Sequence, residues 1–274
     1  ATRAPLENPL LRPLASGTQV GPTDQCSLVD RSGHDLAIQD SAAPIRDREG
    51  RVRGAVVVFH DVSVARNLQH ELTYQASHDP LTGLYNRREF DREVARALER
   101  TARDGQDHTL CYLDLDQFKV VNDTCGHAAG DQLLQKLTAY LHGHIRKSDL
   151  LARLGGDEFG LLLANCPLQR ALEIAEGLRE TVNAFRFQWQ GKTFQIGASI
   201  GVVELTARIG TAAEALAAAD MACYAAKDDG RNRVHVYRPD DAELLRRREE
   251  MGMVSAVQRA LADNNLELFA QIIA

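Results

Sequence analysis

Two adjacent carboxylates directly follow a pair of glycines near the centre of the chain, and this is the arrangement with the clearest chemical potential. The pair Gly155-Gly156 separates two apolar runs, and Asp157 and Glu158 come next. Two glycines between strand-like runs favour a tight hairpin, because glycine tolerates the positive φ that such turns require. A hairpin tip without side chains lets a bulky anionic ligand approach the backbone. Carboxylates beside that gap repel phosphate unless a cation lies between them, so the pattern indicates a metal-dependent phosphate site.

A second acidic group ends another apolar run. Thr109–Leu115 is almost continuously apolar, which predicts an interior strand covered on both faces. Asp114 and Asp116 lie at the carboxyl end of this run, where α/β folds place their ligands. A single acid at such a position is usually a capping or solvated carboxylate. If this strand and the hairpin are neighbours, Asp114 and Asp157 could together hold divalent ions about 3.5–4 Å apart, which clamp attacking and leaving oxygens.

The composition limits the classes of protein to consider. The chain has 274 residues, of which 44% are hydrophobic and 26% charged, as in globular proteins. A net charge of −6 gives no general reason to expect nucleic-acid binding. The five cysteines are scattered without CxxC spacing, which favours reduced thiols and a cytoplasmic protein. No run is long enough for a transmembrane helix, so we expect no membrane contact from this part of the chain.

The elements that must position these acids follow from hydrophobic periodicity and turn residues. Asn86 with Glu89 is typical of a helix start, and Gln190-Gly191 predicts a second hairpin with the arms Phe185–Trp189 and Lys192–Leu205. The order of elements predicts an α/β (α+β) fold with a mixed, mainly antiparallel central sheet flanked by helices. The other predicted elements of this region are helices over Val120–Gly126, Ala129–Ile145, Leu168–Val182 and Glu214–Ala226, and a strand over Val234–Tyr237.

The first 77 residues have a different pattern. Short β-like runs from Cys26 to Asp61, separated by turn residues, predict an antiparallel β-meander. Ser63–Ser77 is predicted to be a helix with a narrow apolar stripe. Such a stripe suits a short coiled coil between two copies of the chain, and it equally suits a helix that lies on its own domain.

Arg153–Phe159, together with His78–Arg88, resembles the sequence of GGDEF-domain diguanylate cyclases. The resemblance covers residues 78–238 and implies a fold similar to a nucleotide-cyclase or polymerase palm. It also implies an enzyme that condenses two GTP molecules into cyclic di-GMP and pyrophosphate. The implied cofactor is Mg²⁺ or Mn²⁺, two ions per active site, and the implied assembly is a homodimer of antiparallel protomers.

The resemblance also implies roles for particular residues. Asp157 and Glu158 are the implied catalytic residues, and Glu158 either binds metal or deprotonates the attacking hydroxyl. The implied metal ligands are Asp114, the backbone carbonyl of Leu115, Asp157 and Glu158. The implied GTP-binding residues are Phe118, Lys119, Asn122, Asp131, Gly155, Gly156, Lys227 and Arg231. Arg146 and Asp149 match the RxxD site of the family, where cyclic di-GMP binds as product and feedback inhibitor.

The flanking segments resemble parts of two other domains. Residues 43–63 resemble the C-terminal half of a PAS sensor domain, although an unrelated β-meander is an alternative. Residues 249–273 resemble the first helix and strand of an EAL phosphodiesterase domain. We therefore expect a partial PAS domain (1–62), a linker helix (63–77), a GGDEF domain (78–238) and the beginning of an EAL domain (239–274), all within a longer protein whose upstream part could be membrane-anchored.

Two other functions fit the same motifs. The GGDEF domain could bind GTP without useful turnover and regulate a downstream EAL cyclic di-GMP phosphodiesterase, or the motifs could be packing turns of a scaffold. The complete set of Asp114, Lys119, Asp157, Glu158 and Arg231 favours the enzyme, because a domain that only regulates often lacks one of them.

Overall fold

The computed structural model describes residues 8–29, 31–146 and 148–238. The chain divides into two compact units, Ala1–Ala76 and Ser77–Ala274. The helix and strand predicted after residue 238, with their resemblance to an EAL domain, lie outside the described residues. In the part of the chain that is described, no helix is both apolar enough and long enough to cross a bilayer.

The first unit contains an antiparallel sheet in the order β1-β2-β3, as the meander pattern predicts. Its strands are β1 (Val20–Val29), β2 (Asp35–Arg46) and β3 (Val52–Asp61), and its helices are α1 (Leu11–Ser16) and α2 (Ser63–Ser77). The apolar side chains Val64, Leu68 and Leu72 of α2 are 73%, 55% and 61% exposed. This stripe is therefore open on the surface of the single chain.

The second unit is built on a mixed sheet. Its strands are β4 (Tyr85–Asn86), β5 (His108–Asp116), β6 (Leu150–Gly155), β7 (Glu158–Leu163), β8 (Arg186–Trp189), β9 (Lys192–Gln195), β10 (Gly197–Leu205) and β11 (Val234–Val236). Its helices are α3 (Arg87–Asp104), α4 (Phe118–Cys125), α5 (His127–His142), α6 (Leu168–Ala184) and α7 (Ala212–Asp228). Over the described residues, six strands form one sheet in the order β11-β10-β5-β7-β6-β4. The two outer pairs are parallel and the three inner pairs antiparallel, which confirms the predicted fold class.

Strand β5 lies at the centre of this sheet, and its side chains alternate between two hydrophobic layers. Leu113 and Leu115 belong to the layer that packs on α5 and α6. Leu110 and Tyr112 belong to the other layer, which packs on α3 and α7. This alternation explains the continuous apolar run in the sequence, because a strand with helices on both faces buries both sets of side chains.

The predicted strand over Lys192–Leu205 is two strands in the structure. Strand β9 pairs with β8 in a separate two-stranded sheet, whereas β10 pairs with β5 and β11 in the main sheet. Ile196, which is 2% exposed, lies between them and joins the hydrophobic core. The alternation of apolar residues continues through this point, so periodicity alone does not reveal the change of sheet.

Candidate active site

The glycine pair forms an open hairpin tip between β6 and β7. Gly155 and Gly156 have φ values of +153° and +50°, a region that favours glycine. A Cβ atom added at either position would have no other atom within 4 Å. The tip is therefore accessible to a large ligand at the level of the backbone.

The carboxylates singled out from the sequence lie at one end of two neighbouring strands. Strand β7 pairs directly with β5, and this pairing places Asp114 opposite Glu158. The backbone N–H of Leu115 donates to the carbonyl oxygen of Asp157 over 3.2 Å. The structure therefore brings Asp114, Leu115, Asp157 and Glu158 together at the hairpin end of the sheet.

A lysine on α7 partly compensates this negative charge. Lys227 Nζ lies 2.6 Å from Asp114 Oδ2. Burial raises the pKa of Asp114 to about 6, even though the hydrogen bond and charge of Lys227 act in the opposite direction, and the charges of Asp157 and Glu158 add to the increase. Lys227 therefore does not offset the cost of burying a charged Asp114.

The donor set suits an open divalent-metal site rather than a closed cage. Within residues 8–29, 31–146 and 148–238, no three acidic, histidine or cysteine side chains converge well enough to hold a metal ion. Mg²⁺ is usually bound by one or two carboxylates, with water and substrate phosphates completing its shell. Asp114 and Asp157 fit this pattern, and a cation would neutralise the charges of Asp157 and Glu158 that act on Asp114.

We expect Asp114→Asn to stabilise the metal-free protein in a pH-dependent way. The ordinary pKa of 3.8 applies in the unfolded chain, and the folded value is about 6. Between these values the folded state retains a proton that the unfolded state has released, so wild-type stability falls as the pH rises from about 4 to about 6. At pH 7 the variant should be more stable by about 3 kcal/mol, with little difference at pH 4. Urea unfolding in EDTA at several pH values measures this, and a pH-independent difference would contradict it.

Two side chains that the sequence analysis did not single out contact Glu158. Arg87 Nη2 lies 3.6 Å from Glu158 Oε2. Burial and then a hydrogen bond with Glu158 raise the pKa of the Tyr112 phenol. Tyr112 lies two residues before Asp114, on the same face of β5, and this period of two was the only signal in the sequence that could have identified it.

The predicted base-reading residues lie on the pair of helices α4 and α5. Asn122 Oδ1 is buried and accepts no hydrogen bond from any residue that the structure describes. It lies 2.0 Å from the position that a Cβ of Gly130 would occupy, so the glycine is needed to make room for it. Asp131 follows Gly130 and is exposed. A buried acceptor without a donor is costly in a protein alone, and a ligand that supplies N–H groups would remove that cost.

The predicted phosphate-binding residues lie on two elements around the acids. Phe118, which is buried, and Lys119, which is exposed, open α4 after Gln117. Arg231 is exposed and lies in the turn after α7, four residues beyond Lys227. Of these predicted phosphate-binding residues, Lys227 contacts a predicted metal ligand directly, as an ion pair with Asp114.

The predicted inhibitory residues lie at the other end of β6. Arg146 and Asp149 line a cleft of about 630 Å³ together with His78, Tyr85 and His142. Strand β6 begins directly after Asp149 and leads to the hairpin tip. The cleft and the acidic cluster are therefore at opposite ends of one strand.

Comparison with known proteins identifies the domain. The family model described as "Diguanylate cyclase, GGDEF domain" matches residues 76–233, which is more than half of the chain. The chain belongs to the GGDEF family. It is 41% identical over 244 residues to the probable diguanylate cyclase DgcE of Escherichia coli (strain K12), covering 89% of this chain and 22% of DgcE. It is 35% identical over 239 residues to the cyclic di-GMP phosphodiesterase PdeB of Shewanella oneidensis, covering 86% of this chain and 27% of PdeB. The chain thus spans about a quarter of the length of these two relatives.

Solved GGDEF structures have the same fold. The coiled coil and GGDEF domain of DgcB from Caulobacter crescentus, in complex with c-di-GMP, matches with a TM-score of 0.60 and 29% identity, covering 64% of this chain and 93% of that chain. Diguanylate cyclase SiaD from Pseudomonas aeruginosa, in complex with its activator SiaC, matches with a TM-score of 0.57 and 36% identity. The match covers 63% of this chain and 66% of that chain.

The hairpin that carries the GGDEF residues is attached to the start of the domain by Arg153. Its Nε donates to the Gly156 carbonyl over 3.0 Å, and its Nη1 lies 3.2 Å from both carboxylate oxygens of Asp79. Burial opposes the charge of Asp79, but hydrogen bonds from Thr82 and Arg153 outweigh burial and lower the pKa of Asp79. The side chains of Arg153 and Asp79 are only 14% and 17% exposed. This ion pair therefore connects the hairpin tip to the N-terminal motif of the GGDEF domain.

We expect Arg153→Met to lower the free energy of unfolding by about 2 kcal/mol, because it leaves the Asp79 carboxylate and the Gly156 carbonyl without this donor. Urea denaturation of the whole chain measures the change. Arg96→Met is a matched control, since Arg96 is half exposed and pairs with Glu93 one helical turn away. Its expected effect is below about 0.5 kcal/mol. Equal effects of the two substitutions would contradict the role of Arg153.

Proposed function

We propose that this GGDEF domain is a diguanylate cyclase that joins two GTP molecules into cyclic di-GMP and releases pyrophosphate. The observation that carries the proposal is the position of Asp114, Asp157 and Glu158 at the ends of two paired strands, beside an open glycine hairpin. Membership of the GGDEF family and the cyclases among the relatives support it. Activity of the whole protein is part of the same proposal.

We assign metal binding to Asp114, Asp157, Glu158 and the carbonyl of Leu115, with two Mg²⁺ or Mn²⁺ ions per site. Bound divalent ions would activate the attacking 3′-hydroxyl and neutralise charge on the leaving pyrophosphate. The contacts of Glu158 favour ligation over proton abstraction, because its carboxylate is next to the Tyr112 hydroxyl and the Arg87 guanidinium, which are both donors. Lys227 supplies a fixed positive charge at Asp114 before substrate arrives.

The remaining GTP contacts divide between phosphates and base. Lys119, Lys227 and Arg231 are the cations assigned to phosphate oxygens, with the Phe118 backbone and the open tip at Gly155 and Gly156 admitting the triphosphate. Asn122 and Asp131 are assigned to guanine. The buried acceptor Asn122 Oδ1 supports this assignment, because guanine presents N–H donors. Adenine would place an acceptor against the carboxylate and be rejected.

Catalysis in this proposal requires two protomers that face each other antiparallel, because one domain holds one GTP. The exposed stripe of Val64, Leu68 and Leu72 on α2 supports association through that helix, since it leaves a narrow apolar seam open to a second copy. Activity per protomer should therefore rise with protein concentration.

Cyclic di-GMP is proposed to inhibit the enzyme by binding at Arg146 and Asp149, which line the cleft at the start of β6. Arg can bind phosphate or a guanine edge with two hydrogen bonds, and Asp can accept from guanine. Arg146→Ala should raise the cyclic di-GMP concentration that halves the rate by at least about tenfold. Arg103→Ala, an exposed residue paired with Asp104, is the control and should leave inhibition unchanged. Unaltered inhibition in Arg146→Ala would reject the site.

The domain boundaries inferred from the sequence remain part of the proposal. They are a PAS half at 1–62, a linker helix at 63–77, the GGDEF domain at 78–238 and the start of an EAL domain at 239–274. A cytoplasmic location, with neither nucleic-acid nor membrane contact from this part of the chain, is also proposed. The negative net charge is consistent with the absence of nucleic-acid contact.

A second candidate is a GTP-binding regulatory domain that controls a downstream EAL phosphodiesterase. The observation that favours it is the 35% identity to PdeB, a cyclic di-GMP phosphodiesterase, over 86% of this chain. The enzyme is preferred because the acidic cluster and its lysine are complete.

Incubation with GTP and Mg²⁺, followed by chromatographic separation of the nucleotides, distinguishes the two functions. The cyclase should yield cyclic di-GMP and pyrophosphate, and Asp157→Asn should yield neither. GTP binding without product at any protein concentration would reject the cyclase and support the regulatory domain.

A further inference from the structure

Asp116, the last residue of β5, is a buried carboxylate that the proposed chemistry does not use. It is only 6% exposed. Ser199 Oγ donates to its Oδ1 over 2.8 Å, and the backbone N–H of Asn232 donates to its Oδ2 over 2.9 Å. A buried carboxylate is tolerated only when it accepts good hydrogen bonds, and here both oxygens accept one.

The turn that Asp116 holds has an unusual backbone. Gly230, Arg231 and Asn232 have φ values of +114°, +63° and +46° in succession. Positive φ is uncommon for residues other than glycine, and a conformation of this kind persists when surrounding contacts determine it. The backbone N–H of Arg231 donates to the Ala226 carbonyl over 3.0 Å, which anchors one side of the turn to α7. Asp116 anchors the other side to the central strand.

Strand β10 leaves the space for this contact. A Cβ at Gly197 would lie 3.0 Å from Asp116 Oδ2 and 3.2 Å from the Cβ of Asn232. Gly197 pairs directly with Asp116 in the sheet. The turn can therefore approach the end of β5 because β10 has no side chain at the position that pairs with Asp116.

Asp114 and Asp116 lie on the same face of β5, and they contact the two ends of the segment from residue 227 to residue 232. Asp114 contacts Lys227 in the last turn of α7, and Asp116 contacts Asn232 after the helix. Arg231 lies between these two anchor points in the chain. The end of β5 thus controls the position of both cations that follow the alanine-rich helix.

We propose that Asp116 is a positioning residue that sets the Arg231 turn so that the guanidinium faces the triphosphate of GTP. The inference rests on the proposed function, because it assumes that Arg231 contacts phosphate. Asp116 itself does not bind metal in this proposal, since both its oxygens are bonded to neutral donors of β10 and the turn.

The test uses the whole chain and a GTP analogue with a methylene group between the α- and β-phosphates, which the cyclase cannot convert. Calorimetric titration with Mg²⁺ measures binding to wild type, Asp116→Ala, Asp116→Asn, Arg231→Ala and the double variant Asp116→Ala/Arg231→Ala. Thermal unfolding of each variant confirms that it is folded.

Asp116→Ala should weaken binding of the analogue about tenfold, because the turn that carries Arg231 loses one of its anchors. In the Arg231→Ala background the same substitution should have less than about twofold further effect, because two residues that act through one contact are not additive. Asp116→Asn should bind nearly as well as wild type. Its amide oxygen can accept from Asn232 while its NH₂ group donates to Ser199 Oγ, so the turn keeps both bonds.

Four results would overturn the proposal. Equal weakening by Asp116→Ala with and without Arg231 would show that Asp116 does not act through Arg231. Undiminished binding by Asp116→Ala would show that Asp116 does not affect binding of the analogue. Loss of Mg²⁺ dependence in Asp116→Asn would identify a metal ligand instead. Because the experiment measures binding, it still tests the role of Asp116 if wild type forms no cyclic di-GMP. Absence of cyclic di-GMP would reject only the cyclase. Failure of wild type to bind the analogue would overturn both.

Discussion

Asp114→Asn is expected to lower the rate of cyclic di-GMP formation by at least about a thousandfold. Asp114 lies opposite Glu158 and 2.6 Å from Lys227, so it connects the acidic cluster to its cation. The amide has nearly the same shape but no charge, and it can neither hold a divalent ion well nor pair with the lysine. The measurement is initial rate against Mg²⁺ concentration, with product quantified by chromatography.

Asp104→Asn is the matched control, because Asp104 is an exposed carboxylate at the end of α3 that pairs with the neighbouring Arg103. This control should keep the wild-type rate within about twofold. Thermal unfolding separates loss of chemistry from loss of structure, and Asp114→Asn should be no less stable than wild type at pH 7. Retention of a tenth of the wild-type rate in Asp114→Asn would contradict the proposed metal site.

Gly201→Ala is expected to lower the free energy of unfolding by about 3 kcal/mol or more. A Cβ on Gly201 would lie 2.0 Å from the Ala219 carbonyl oxygen and 2.3 Å from the Cys223 backbone nitrogen. These are backbone atoms in the middle of α7, so the helix as a whole must move away from β10. Because α7 carries Lys227, cyclase activity should fall together with stability.

Gly177→Ala gives a matched comparison on α6. A Cβ there has no other atom within 4 Å, and the residue lies in the interior of a helix. Alanine is favoured over glycine at such a position by about 0.5–1 kcal/mol, so this variant should be more stable than wild type. Urea denaturation of both variants measures the contrast. The close packing of α7 on β10 would be refuted if Gly201→Ala were as stable as Gly177→Ala.

Local chemistry made part of this structure predictable from sequence. The glycine pair predicted the hairpin, the continuous apolar run predicted an interior strand, and Asn86 was predicted to cap α3. In the structure the Asn86 side chain accepts from the Glu89 N–H over 3.0 Å. Each of these predictions depends on residues within a few positions of one another, which is where backbone preference and periodicity act.

Contacts between distant segments were not predictable in the same way. The sequence did not establish that β5 and β7 are neighbours, because 40 residues separate Asp114 from the hairpin tip. The roles of Tyr112, Asp116 and Arg87 depend on which strand or helix lies beside them. Periodicity also continued from β9 into β10, although the chain changes sheet there. Register and sheet order are tertiary properties, and a single sequence carries little direct information about them.

The alternation of β5 between two hydrophobic layers has a consequence for how such a domain can evolve. The residues proposed to read the base, Asn122 and Asp131, are on helices of one layer, whereas Lys227 is on a helix of the other. Substitutions that accumulate in the first layer could therefore alter the proposed nucleotide choice while Lys227 keeps its support on α7, whereas Lys119 shares α4 with Asn122 and would be affected. Selection for a new base would act mainly through α4 and α5, and the lysine that pairs with Asp114 would stay in place on α7.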